Sequence, residues 1–129
     1  MHSVHAADDE PQVLLDPQRL DCYRVAVEFA AVSARLVPRG HRDLRSQLSR
    51  AAASIALNLA EGAGRRASAD KAHFYAFARG SAMECGAVVD LVRSLELAPA
   101  SQCKQAQGLL VRVVQMLSKQ EARVTAGRR

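Results

Sequence analysis

Two apolar helical stripes, each interrupted at set places by polar residues, constrain this chain more than any other feature. In the first, Leu44, Leu48, Ala51, Ile55 and Leu59 recur at spacings of three and four, with Ala52 widening the face and Asn58 and Glu61 embedded near its end. In the second, Phe74, Phe77, Ala78, Ser81, Ala82, Cys85, Val88, Val89, Val92 and Leu95 form the stripe, with Arg79 and Glu84 set among them. These spacings place the apolar side chains on one face of a helix. An unpaired buried polar group costs about 1–3 kcal/mol, so the embedded residues need partners on neighbouring elements. Arg50, Asn58, Glu61, Arg79 and Glu84 are therefore expected to form a buried or subunit-spanning polar network. Its role would be to fix helix register rather than to hold a ligand.

A long helix is expected on either side of these two. Asp16 reads as an N-cap and Pro17 as the first helical residue. Leu20, Tyr23, Val27, Ala30, Ala34 and Val37 then make a stripe about 20 residues long, ended by Pro38-Arg39-Gly40. Helix two should run from about His41 or Asp43 to Glu61, with Gly62 and Gly64 as left-handed terminators. Helix three should begin with Ser68 as its cap and end near Glu96, and helix four should end near Glu121. Tryptophan is absent and aromatics make up only 4%, so the core must be built from Ala, Leu and Val at close helix–helix contacts. An all-α, antiparallel up-down-up-down four-helix bundle follows, occupying residues 16–122. An acidic, aperiodic leader at 1–15 and a basic tail at 123–129 flank it.

Several chemistries are disfavoured. Cys22, Cys85 and Cys103 are far apart and odd in number, which argues against a disulfide framework or a zinc site and for a reducing cytoplasm. No apolar run is long enough for a bilayer, and the acidic start does not have the pattern of a secretory signal. Asp70-Lys-Ala-His73 is the only pair spaced like the Glu-x-x-His motif of di-iron bundles, so no metal is expected. Ser81 has no well-placed histidine, and Gly62-Ala-Gly64 follows a helix rather than a strand, unlike a phosphate-binding loop. A non-enzymatic protein without a cofactor is expected.

Charge is more informative. The net charge is +5, yet residues 1–21 hold five acids and one base, leaving 17 basic against 8 acidic residues beyond them. Fifteen of the 18 basic residues are arginine, whose planar fork suits phosphate, although a GC-rich genome would favour arginine regardless of function. Their placement carries more weight. Arg35, Arg39, Arg42 and Arg45, with His41, surround the first interhelical turn; Arg65, Arg66 and Lys71 surround the second. These two clusters are the candidate nucleic-acid contacts, nonspecific in sequence because phosphate carries no base information. Exposed aromatics for base stacking look scarce. Tyr75 is one candidate, while Tyr23, Phe29, Phe74 and Phe77 are assigned to the core, which argues against a dedicated single-strand stacking platform.

The segments Gln47 to Ile55, Asn58-Leu-Ala-Glu-Gly62 and Ala78-Arg-Gly-Ser81 with Glu84 resemble the four helix bundle protein family. That family includes proteins encoded in intervening sequences of 23S rRNA genes, and the Avd accessory protein of diversity-generating retroelements is a relative. The resemblance spans about residues 20–120. It implies a barrel-like homopentamer with a basic surface that binds RNA or DNA, and in the Avd branch a reverse transcriptase partner. The chain departs from the family pattern in lacking a tryptophan near Tyr23. It also carries Cys85-Gly86-Ala87 where bulkier residues are usual. The alternative is a protein-interaction adaptor with no nucleic-acid role, its basic surface docking an acidic partner.

Overall fold

The computed structural model describes residues 13–127, which are all-α with no strand among them. A 3-10 turn (Asp16–Arg19) precedes α1 (Asp21–Ser33), α2 (Arg42–Gly64), α3 (Ser68–Ser94) and α4 (Ala100–Gly127). Most of the expected acidic leader, and Arg128 and Arg129 of the expected tail, lie outside the described residues. The fold is a four-helix bundle in which α1 packs on α2, α2 on α3, α3 on α4 and α4 on α1. Among the described residues, no helix is long and apolar enough to cross a membrane.

The first helix is shorter than its pattern predicts, at 13 residues. Asp16 does not cap it. Instead the Leu15 N–H donates to Gln18 Oε1 at 2.9 Å, closing a separate turn around Pro17, and Leu20 adopts an extended conformation before α1 begins. At the other end Ser33 Oγ donates to the Ala30 carbonyl at 3.1 Å. The chain then leaves the helix, and Leu36 and Val37 are both buried. The buried face of α1 is Cys22, Val25, Ala26, Phe29 and Ser33 rather than the expected Tyr23, Val27 and Ala30. Val27 is exposed.

In α2 the periodicity holds: Leu48, Ala51, Ala52, Ile55 and Leu59 are buried. Gly62 and Gly64 do not take the left-handed conformation expected of them. Gly62 stays helical, and the Tyr75 ring lies against it, where a β-carbon would sit 2.5 Å from Cε1. The carbonyls at the end of α2 are satisfied by a side chain, since Lys71 Nζ donates to the Gly62 and Ala63 oxygens, both at 3.1 Å.

Helix α3 begins at Ser68 itself, after Ala67, with no side-chain cap. Its buried line is Tyr75, Ala78, Ala82, Cys85, Val88, Val89 and Val92. Tyr75, expected at the surface, is 3% exposed, and Phe77, expected in the core, is 54% exposed. Two residues along a helix is a rotation of about 200°, so only one of this pair can face inward. The helix closes with the Leu97 N–H on the Val92 carbonyl at 2.9 Å and Glu96 at φ 55°. A glycine would ordinarily take that left-handed position. Helix α4 continues to Gly127, past the expected end near Glu121.

The polar residues of the two stripes do not form one network. Asn58 Nδ2 donates to the Ser54 carbonyl at 2.9 Å and to Ser54 Oγ at 3.0 Å, and Ser81 Oγ donates to Ser54 Oγ at 2.7 Å, which joins α2 to α3. Arg79 turns the other way: Nε donates to Glu121 Oε1 at 3.0 Å and a terminal nitrogen to Ser118 Oγ at 2.8 Å, which joins α3 to α4. Glu61 pairs with Arg65 at the surface, Arg50 reaches the Ser46 carbonyl, and Glu84 is exposed. Arg79 and Glu84 lie five residues apart, a rotation of about 140°, so they point to different sides of α3.

Candidate nucleic-acid interface

Helix α2 starts at Arg42, and Arg42, Arg45, Ser46 and Ser49 follow at spacings of three, one and three. That pattern holds them to one side of its first two turns. The α1–α2 turn brings Arg39 to the same side, and the end of α1 contributes Ser33 and Ala34. Together these seven residues line one open concavity of about 400 Å³. No carboxylate lines it. Among the described residues, Arg39, Arg42 and Arg45 make no ion pair or side-chain hydrogen bond with the protein. The partial positive charge at the start of α2 adds to theirs. Asp43, adjacent in sequence, lines a separate shallow cleft with Gly40, His41 and Leu44, shared only by Arg42.

Arg35 does not join this group. It lines a different groove with Ala31, Val32, Leu36, Gln102 and Gln105, so the four arginines of the first cluster divide three to one. The second cluster, at the far end of α2, is largely occupied. Lys71 caps the α2 carbonyls, and Arg65 binds Glu61 Oε2 at 3.1 Å while its guanidinium lies 4.9 Å from the Phe74 ring centroid. Only Arg66 there is exposed with no such contact among the described residues. With 23 residues, α2 separates the two clusters by about 34 Å at 1.5 Å per residue.

Two features of these surfaces escaped the sequence reading. One is the set of hydroxyls, Ser33, Ser46 and Ser49, placed beside the three arginines; the spacing 42, 45, 46, 49 was the available signal for two of them. The other is exposed aromatic surface: the His73 ring meets Phe77 edge-on at 4.7 Å and Phe74 at 5.4 Å. A third surface is apolar, a groove of about 420 Å³ between α3 and α4 that includes Met83, Gly86, Ala87 and Val111. Gly86 and Ala87 are small residues in its lining.

Neither Cys22 nor Cys85 is an activated nucleophile. Burial pushes the Cys22 thiol up to about 11, and burial with the nearby Glu84 charge pushes Cys85 up to about 12. Both are therefore protonated near neutral pH, whereas a reactive cysteine needs a lowered pKa. Cys22 Sγ instead donates to the Val113 carbonyl at 3.4 Å, a contact between α1 and α4.

Comparison with curated proteins finds no match to this chain. The sequence model of the 23S rRNA-intervening sequence protein family matches residues 18–119, from the 3-10 turn into the second half of α4, and the chain belongs to that family.

Proposed function

We propose that this chain is a non-enzymatic accessory protein that binds RNA without sequence specificity, through phosphate contacts at the α1–α2 end. The observation that carries this reading is the convergence of Arg39, Arg42 and Arg45 on one concavity that has hydroxyls and no carboxylate in its lining. Guanidinium groups left free of internal carboxylates are available to phosphate oxygens, and serine hydroxyls add neutral donors. The family is named for 23S rRNA intervening sequences, which favours RNA over DNA as the polyanion.

The proposed assembly is a homopentamer of up-down-up-down bundles. The order of contacts supports this topology: Gly62 meets Tyr75 while Ser54 meets Ser81, and Arg79 meets Glu121 while Gly86 approaches Leu110. Both pairs of helices run in opposite senses by that ordering. The apolar groove beside Met83 and Val111, both exposed, supports self-association, since such a surface gains from being covered. Light scattering is expected to give about five times the chain mass of 13.9 kDa; a monomer would overturn the assembly.

RNA affinity measured by fluorescence anisotropy across a salt series tests the function. Each neutralised phosphate contributes a slope of about −0.7 for single strands and −0.9 for B-form duplex in log K against log salt. The triple variant Arg39→Glu, Arg42→Glu, Arg45→Glu is expected to bind about 10- to 100-fold more weakly with a slope shallower by about two or more. Its circular dichroism should be unchanged, since none of the three is part of the core. Unchanged affinity in the variant would move the binding surface elsewhere. A wild-type protein without salt-sensitive RNA affinity would overturn the reading in favour of an adaptor for an acidic protein.

A further inference from the structure

We propose that the α2–α3 end of the bundle is a stacking site for unpaired bases of single-stranded RNA. This rests on the reading of the chain as an RNA-binding protein, but not on the arginines of the α1–α2 end. Residues 73, 74 and 77 bring three aromatic rings to the first turns of α3. Phe77 is 54% exposed, and His73 is also exposed and meets it edge-on at 4.7 Å. The edge-on contact holds the two rings together, and more than half of the Phe77 surface stays open. Phe74 is half-buried beneath the Arg65 guanidinium, at 4.9 Å from the ring centroid. Arg66, the next residue in the α2–α3 connection, is exposed.

This combination selects its occupant. Exposed phenylalanine is costly to leave in water, and with Arg65 over Phe74 and the exposed Arg66 in the adjoining α2–α3 connection it matches a ligand that is both aromatic and anionic. An unpaired nucleotide has both properties: its base presents a flat π-face to Phe77, and its phosphate is complementary to the exposed Arg66 at the same end of the bundle. A duplex buries its base faces in the helical stack and cannot use Phe77 in this way. Arg65, already anchored to Glu61 and Phe74, is a second flat surface rather than a free cation. The two ends of the bundle thus divide the work, with phosphate contacts at one and base contacts at the other.

The test compares two anisotropy probes, a fluorescein-labelled oligoadenylate of about ten nucleotides and an abasic ribose-phosphate oligomer of equal length, within the site-size range of single-strand binders. The abasic probe reports phosphate contacts alone. Wild-type protein is expected to bind oligoadenylate about 5- to 100-fold more tightly than the abasic probe. Phe77→Ala should remove most of that difference without changing affinity for the abasic probe, and Phe77→Tyr should retain it. Equal wild-type affinity for the two probes, or a difference that survives Phe77→Ala, would overturn the proposal while leaving the phosphate reading intact. A fall in assembled mass in Phe77→Ala would also overturn it, by assigning Phe77 to a contact between copies. Loss of affinity for both probes in wild type would overturn both readings.

Discussion

Gly62→Val is expected to cost the bundle about 3 kcal/mol, whereas Gly108→Ala is expected to stabilise it by about 1 kcal/mol. Both glycines lie inside helices, so helix propensity alone predicts a gain at each. The surroundings differ. A β-carbon at Gly62 would meet Tyr75 at 2.5 and 2.8 Å and Phe74 Cβ at 3.3 Å, while one at Gly108 would meet nothing within 4 Å. The Tyr75 ring is itself buried, so it cannot swing into solvent to make room. The clash must then be relieved by moving α2 away from α3, which loosens the Ser54–Ser81 contact one helical turn or two further along. Urea denaturation followed by circular dichroism measures both variants. A Gly62→Ala or Gly62→Val protein as stable as wild type would show that the α2–α3 contact is looser than these distances indicate.

Phe29→Ala is expected to cost about 3–5 kcal/mol, the range for truncating a buried aromatic. Phe29 is 0% exposed and is the largest fully buried side chain in the molecule's described part. The loss falls on α1, whose 13 residues are too few for a stable helix in water without tertiary contacts. What holds α1 in place is its line of Cys22, Val25, Ala26, Phe29 and Ser33. A cavity in the middle of that line should therefore weaken α1 before the other helices. Thermal melting is expected to shift down by about 10 °C or more, and amides of α1 should exchange faster than those of α3. Equal acceleration in all four helices would instead mean that the bundle opens only as a unit. This variant also tests the arginine site indirectly, because Ser33 and Ala34 at the end of α1 form one wall of it.

Much of the fold could be read from spacing. The stripes of α2 and α3 were visible in the order of apolar residues, as were the breaks at Pro38 and near Pro99. The first helix departs from its expected face because two stripes compete there. Leu20, Tyr23, Val27 and Ala30 are spaced as well as Cys22, Val25, Ala26 and Phe29, and only the position of α4 and α2 selects the second set. The candidate site was legible in part. Arg39, Arg42 and Arg45 are close in sequence on either side of one turn, so their proximity required only that turn. Lys71 looked equally free, yet its ammonium is held by the Gly62 and Ala63 carbonyls.

By itself the sequence determined an all-α chain, its helix-rich middle and the clustering of charge around two turns. These depend on periodicity and short-range order along one strand of backbone, which the residue order encodes directly. Only the tertiary structure decided that Tyr75 rather than Phe77 enters the core, that Arg79 joins Glu121 rather than Glu84, and that Arg39, Arg42 and Arg45, without Arg35, converge on one open concavity. Each of those outcomes depends on which atoms of a neighbouring helix stand opposite. Spacing within one helix fixes the directions in which its side chains point; what they meet is set by the helix next to it.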